Sequence, residues 1–306
     1  MRYIPESWAP EHTAPLPEEP AEDSPVNVEV ERQADDWGAI DCAGQPFARV
    51  AFVDGVRRRD TWVVAEGKDS DCRGLMASWA AGAVVSDGTA EITGVQVERG
   101  VFCNAEGAKD VTPIPGFTYR QRSAAGDSAE ELTMEAHKAM LDLELKVAAR
   151  LPVSDLLVLD GPLRGTVKDD QLTVGYVKTH YRAYGNELVS DAVAALSAGQ
   201  RTPVFMISRL GTSRLTWYLR LPGERAHRWA DIARCEMPPD PPEGDLTEIA
   251  NRVSRTLLAF ASKSHQDPRA PQNLLPIGAL ERELHHRLGD RGLFLRALRQ
   301  VASQTP

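Results

Sequence analysis

Two segments of this chain share one form, an apolar run that passes straight into Asp-Gly. Ala48–Val53 leads into Asp54–Gly55, and Leu156–Leu159 leads into Asp160–Gly161–Pro162. An aspartate just past a buried strand sits at the edge of a sheet, where ligands bind in open α/β arrangements. The glycine beside it lets a backbone or a phosphate approach closely. If the two strands lie parallel or adjacent, the carboxylates converge. All-oxygen carboxylate ligation suits magnesium or manganese. Two such ions ~4 Å apart clamp the attacking and leaving oxygens of a phosphodiester displacement. Either Asp-Gly alone reads best as an ordinary turn; two of them after buried strands shift the balance toward metal ligation.

The elements that must hold these residues follow from periodicity. Ala48–Val53 reads as a strand with Arg59–Val64 as its hairpin partner, Gly74–Val85 is small and apolar, and Ala90–Cys103 alternates as one or two further strands. Leu132, Ala136, Ala139, Met140, Leu143, Val147 and Leu151 recur at helical steps, which predicts one long amphipathic helix closed by Pro152. Leu156–Asp160 has no polar gap, as in a strand buried on both faces. Leu172–Lys178, Pro203–Ser208, Leu215–Leu221 and Ala230–Glu236 read as strands. Asn186–Ser197, Leu246–Ser262, Ile277–Leu288 and Leu293–Val301 read as helices. Strands first, then helices interleaved with strands, predict one α/β or α+β domain around a mixed sheet.

Charge is unevenly placed. Of the formal −9 carried by 306 residues, residues 1–36 contribute −8, so the rest is nearly neutral, with local basic clusters such as Arg57–Arg58–Arg59. The acidic, Pro-rich N-terminal stretch predicts a flexible arm, drawn here over residues 1–45, ahead of a folded domain over 46–306. Its plain role is a solubilising tail; its sharper one is a DNA mimic lying over a basic groove. Cys42, Cys72, Cys103 and Cys235 form no CxxC pair, which argues against a zinc site or a disulfide framework. No apolar run approaches the ~20 residues of a membrane helix, and the first residues lack a signal-peptide layout, so a cytoplasmic protein is expected. GxxxxGK[ST], GxSxG and HExxH motifs are absent.

VDGVRR (53–58), LDLELKVAARL (141–151), VLDGPL (158–163) and VGYVK (174–178), in this order and spacing, resemble the NurA-domain nucleases; WYLRLP (217–222) and IARCE (232–236) are similar to that family's closing strands. The similarity spans roughly residues 48–290. The resemblance implies an RNase H-like mixed sheet flanked by helices, a homodimer with a central channel, Mn2+- or Mg2+-dependent cleavage of DNA, and partnership with a HerA-type hexameric ATPase in DNA end processing or phage defence. Carried over by position, Asp54, Glu144 and Asp160 match the family's metal carboxylates, with Glu135 on the same helix as the fallback for Glu144. Lys178 matches the lysine ending the GxVK strand, where it would neutralise a phosphate or a developing charge; a strand-end lysine in water is the plain reading.

The chain departs from the pattern in two places. Val56 follows Asp54–Gly55 where the family commonly has serine, and Arg57 and Arg58 are candidates to contact the DNA backbone instead. The family's late histidine has no counterpart in PQNLLPIGALEREL (271–284), where Asn273 or Glu281 would replace it. His265, His285 and His286 lie nearby, but adjacent helical histidines point ~100° apart, as surface residues do. Asp41 and Asp60 flank the first motif, with turn or strand-edge roles the simpler reading. The missing histidine motivates a rival account, a NurA-like scaffold subunit of the ATPase complex that has lost metal binding. A nuclease acting on RNA or a mobile-element intermediate is a third.

Overall fold

The computed structural model describes residues 3–5, 25–66, 71–164, 168, 170–178, 186–209, 212–224, 227–241 and 244–304. Residues 6–24, the bulk of the expected acidic arm, lie outside this set. In chain order the strands are β1 (Tyr3–Pro5), β2 (Val26–Asn27), β3 (Ile40–Asp41), β4 (Val50–Ala65), β5 (Cys72–Ser86), β6 (Ala90–Cys103), β7 (Val111–Ile114), β8 (Phe117–Ser123), β9 (Leu156–Asp160), β10 (Thr173–Val177), β11 (Gln200–Arg201), β12 (Phe205–Arg209), β13 (Thr212–Arg220) and β14 (Ile232–Met237). The helices are α1 (Ala129–Arg150), α2 (Glu187–Ala195), α3 (Leu246–Phe260), α4 (Leu275–Leu288) and α5 (Arg291–Gln304).

The strands join edge to edge in the order β2-β12-β13-β14-β10-β9-β4-β5-β6-β8-β7. β9 pairs parallel with both β4 and β10, while β4–β5–β6 and β12–β13–β14 are antiparallel. This is a large mixed sheet flanked by helices, as expected.

Two local expectations change. Arg59–Val64 is the continuation of β4, whose partner is β5, paired from Val50↔Ser86 to Ala65↔Cys72 with a register shift between Arg59 and Thr61. The physical reason lies in Val56–Arg59, which has no Gly, Pro or Asn to turn the chain. Asp60 is then the extra residue of a bulge, which keeps the pairing through the slip. Asp54 therefore lies inside a long strand rather than past its end.

The second change concerns the arm. Residues 25–45 are tied to the sheet: β2 pairs with β12, and β3 with β11. Glu31 accepts both terminal nitrogens of Arg201 at 2.7 Å, with both side chains buried. A bidentate pair of this kind anchors backbone that composition alone reads as loose.

Side chains alternate across the sheet and so feed two cores. Ala51, Val53, Leu157 and Leu159 point to the α1 side, against Leu132, Ala136, Met140, Leu143 and Val147. Phe52, Val158, Tyr176 and Trp217 point to the other, against Val253 and Leu257 of α3 and Ile277, Leu280 and Leu284 of α4. Helices on both faces explain why β9 carries no polar alternation. α1 starts at Ser128, whose side chain and that of Glu131 form a reciprocal capping box.

Candidate metal centre

The parallel β4–β9 ladder pairs Val53 with Leu159, so the next residues, Asp54 and Asp160, stand level on neighbouring strands. Both point to the α3/α4 side, as alternation from Phe52 and Val158 requires. Opposite Asp54 in β5 is Gly82, where an added Cβ would come 3.2 Å from Leu280 and 3.3 Å from Leu284 of α4. The missing side chain lets α4 lie close to the sheet. It brings in Glu281, the neighbour of Leu280. Oxygens of Asp54, Asp160 and Glu281 all lie within 4.8 Å of one another, and these three form the carboxylate group that could hold an ion among the described residues.

Glu144 reaches the same neighbourhood from the α1 face. A Cβ on Gly55 would sit 2.5 Å from its Oε1 and 3.0 Å from its Cγ, so Glu144 lies directly on the bare backbone beside Asp54. It is not a member of the three-carboxylate group. Glu135 is nine residues away, half a turn out of phase on the same helix.

The DGPL turn is built with equal economy. Gly161 takes φ +96°, and its N–H donates to the Tyr176 carbonyl at 2.8 Å. A Cβ on Gly175 would lie 2.4 Å from the Leu163 nitrogen, so only glycine lets the turn rest on β10. Buried Glu236 accepts the Leu163 N–H at 3.0 Å and pins the turn from below. These contacts give the glycines of both VLDGPL and VGYVK one task, holding the end of β9.

Lys178 donates to Asp160 Oδ2 at 2.7 Å and to Asn273 Oδ1 at 3.0 Å. Asn273 is fully buried and donates to Asp267 Oδ2 at 2.7 Å, with a longer contact to Glu281. Arg269 grips both oxygens of Glu281. Both residues offered in place of a late histidine therefore reach the centre, Glu281 as a carboxylate and Asn273 as the link between it and Lys178.

Crowded carboxylates resist ionisation. Burial first, then the charge of Asp160, pushes Asp54 well above the usual carboxylate range, with Lys178 opposing. Burial also raises Asp160, again against Lys178. Burial lifts Glu144 to about 8, with Arg164 opposing and Asp160 adding. Burial works most strongly to raise Glu281 too, but the hydrogen bonds from Arg269 and Asn273 and the charges of Lys178 and Arg269 together hold it below its ordinary value. Asp54 Oδ2 and Asp160 Oδ1 are buried with no hydrogen-bond partner among the described residues. Orphaned acceptors facing like charges are costly, and a divalent cation answers both costs. The donor set is all oxygen, which fits Mg2+ or Mn2+.

The other candidates are placed elsewhere. Arg58 donates to Asp60 Oδ1 at 2.7 Å and to the Gly289 and Leu288 carbonyls at 2.5 and 3.3 Å. It is held at the C-terminal end of α4, where a cation is favoured. Asp60 is buried and also accepts from Ser78 and Tyr119. Asp41 is exposed and accepts from Gln200. His265, His285 and His286 are exposed. Arg57 is half-buried on the α1 side and has no ion-pair partner among the described residues.

Sequence reading passed over Asp267, Arg269 and Arg164. For Glu281 there was a usable signal. It falls on the apolar stripe of α4, between Ile277, Leu280 and Leu284, where a lone acid is out of place unless something holds it. Glu144 breaks the stripe of α1 in the same way.

A search among curated proteins finds no sequence match. The chain is similar to the crystal structure of the NurA nuclease from Sulfolobus solfataricus, with a TM-score of 0.52, 10% identity, and 91% of this chain and 92% of that one covered. At that identity the likeness concerns the fold. The NurA domain family model matches residues 82–270, a span that contains Glu144, Asp160 and Lys178 and is flanked by Asp54 and Glu281. That span is well over half of the sequence, and the chain belongs to the NurA domain family.

Proposed function

We propose that this chain is a metal-dependent DNA nuclease in which Asp54, Asp160 and Glu281 hold a divalent cation, Mg2+ or Mn2+, and Glu144 adds a ligand from the α1 side. The observation that carries this reading is the three-carboxylate group with its two orphaned buried oxygens. Membership of the NurA family supports nuclease activity, and the Sulfolobus relative is itself titled a nuclease. When bound, the ions supply an activated water and charge stabilisation at the phosphate. The chain's own residues do the positioning: Gly82 admits α4, Gly55 admits Glu144, and Gly175 seats the turn behind Asp160. Lys178 holds the Asp160 carboxylate and places a compact positive charge where a phosphate would arrive.

The proposal extends to a setting that family resemblance supports: a cytoplasmic homodimer working with a HerA-type hexameric ATPase that moves DNA. No helix among the described residues is long and apolar enough to cross a membrane. Incubating the purified chain with labelled single-stranded DNA tests the reading. Strand loss that requires Mn2+ or Mg2+ is expected; an intact strand with metal and a HerA-type ATPase both present would sink it.

A further inference from the structure

We infer that Arg57, His137 and Arg164 form an anion subsite on the α1 side of the metal centre, which takes a phosphodiester of the bound strand beside the one being cut. The inference rests on the nuclease reading and adds to it a place where the substrate strand is held.

Placement comes from three elements. Gly55 abuts Glu144 and Met140 of α1, so Arg57, two residues on along β4, also faces α1. Its cross-strand partner is Trp79, a member of the α1-side core. His137 precedes Glu144 by seven residues and so shares its helix face, ~10 Å along the axis. Arg164 follows Leu163, whose backbone is fixed by Glu236 and seated on Gly175. Both arginines act electrostatically on His137, and Arg164 also acts on Glu144. Strand and helix thus bring Arg57 and His137 to the same side of the sheet, within reach of the charge of Arg164.

For Arg57 and His137 a partner is what is missing among the described residues. Elsewhere in this protein a buried guanidinium is matched: Arg201 by Glu31, Arg234 by Glu236, Arg220 by the Ala230, Val193 and Arg228 carbonyls. For half-buried Arg57, burial alone is the influence at work, and it draws the guanidinium below its ordinary value. His137 Nδ1 is buried with no hydrogen-bond partner among the described residues. Burial first, then both arginines, holds its imidazole neutral, at about 4. Arg57 and the spare ring nitrogen lack acceptor oxygens among the described residues, while Arg164, whose guanidinium feels Glu144 and Glu236, adds a second cation beside them. A phosphodiester supplies such oxygens with the right charge, and arginine forks match them.

The test is anisotropy of an end-labelled single-stranded oligonucleotide bound to the full chain, with Ca2+ in place of Mn2+, over a salt series. Arg57→Gln and Arg164→Gln should each weaken binding about 5–20-fold. Each should also reduce the slope of log affinity against log salt by about 0.7, the share of one phosphate contact on a single strand. Arg57→Lys, which keeps the charge and loses the fork, should keep the slope and recover part of the affinity, which guards against misfolding as the cause. His137→Gln should weaken binding about 2–5-fold with the slope unchanged. With Mn2+ restored, the loss for Arg57→Gln and His137→Gln should appear mainly in KM rather than in kcat. Wild-type binding with unaltered affinity and slope in the folded variants overturns the subsite and leaves the nuclease reading standing. So does a fall in kcat at unchanged affinity. A wild type that neither binds nor cuts DNA overturns both.

Discussion

Asp54 stands level with Asp160 because Val53 pairs with Leu159 in the parallel β4–β9 ladder. A slip of one residue would turn every side chain of β9 to the opposite face. The double-sided burial of Leu156–Leu159 therefore fixes the register that fixes the carboxylates. The core and the candidate metal centre are set by the same pairing.

Gly55 separates packing from site geometry. In Gly55→Ala the new Cβ meets Glu144 Oε1 and Cγ and Met140 Cγ, all side-chain atoms that can yield. Unfolding should cost no more than ~1–2 kcal/mol, while metal-dependent cleavage should fall at least about tenfold as Glu144 is displaced. Thermal melts and steady-state cleavage rates check both. Unchanged cleavage would remove Glu144 from the site.

Gly175→Ala should behave in the opposite order. Its Cβ meets backbone of Leu163 and Gly161 rather than flexible side chains, so a loss of ~2–4 kcal/mol is expected. Denaturant unfolding measures it. A variant as stable as wild type would show that the turn after β9 does not lie on β10.

Metal-free stability should depend on pH in a stated direction. Glu144 is held at about 8 against 4.5 for a free side chain, and Asp54 and Asp160 are raised as well. For a raised acid the folded chain binds the proton more tightly than the unfolded chain. That stabilisation is whole below the unfolded value and is lost as pH climbs to the folded one. Glu144 alone accounts for several kcal/mol at most. Melting temperature in a chelator should therefore drop by several degrees between about pH 5.5 and about pH 8.5. Mn2+ should restore it, and Mn2+ affinity should rise over the same window as protons leave. A flat or rising profile contradicts the crowding described for these carboxylates.

Lys178→Ala should divide binding from catalysis. Removing the ammonium 2.7 Å from Asp160 relieves competition for its oxygens. Mn2+ affinity by calorimetry should rise a few-fold while kcat falls about 10–100-fold. If both fall together, Lys178 serves only to hold Asp160 in place.

How far these features were readable from sequence depended on where the information lies. The stripe Leu132–Val147 and the unbroken Leu156–Leu159 announced α1 and β9, because a helix period and a lack of alternation are local properties. The meeting of Asp54 and Asp160 was readable as a condition, two strands side by side. The length of β4 was not, since Asp54–Gly55 looks like a turn and only pairing with β5 carries the strand through it. Nor was the attachment of residues 25–45, which depends on Arg201, far along the chain. Glu281 was one of two candidates until α4 was seen against Gly82. The hold of the end of α4 on Arg58 likewise comes from far along the chain.

The most direct measurement of the central claim is metal-dependent cleavage of labelled single-stranded DNA by wild type, Asp54→Ala, Asp160→Ala and the double variant, with and without a HerA-type ATPase. Wild type should cut in Mn2+ or Mg2+ and stop in chelator. Each single variant should lose activity by at least about a thousandfold, with no further loss in the double variant, as expected for ligands acting as a unit. Equal inertness of wild type and the double variant, with the ATPase present, would contradict the account and leave the chain a scaffold.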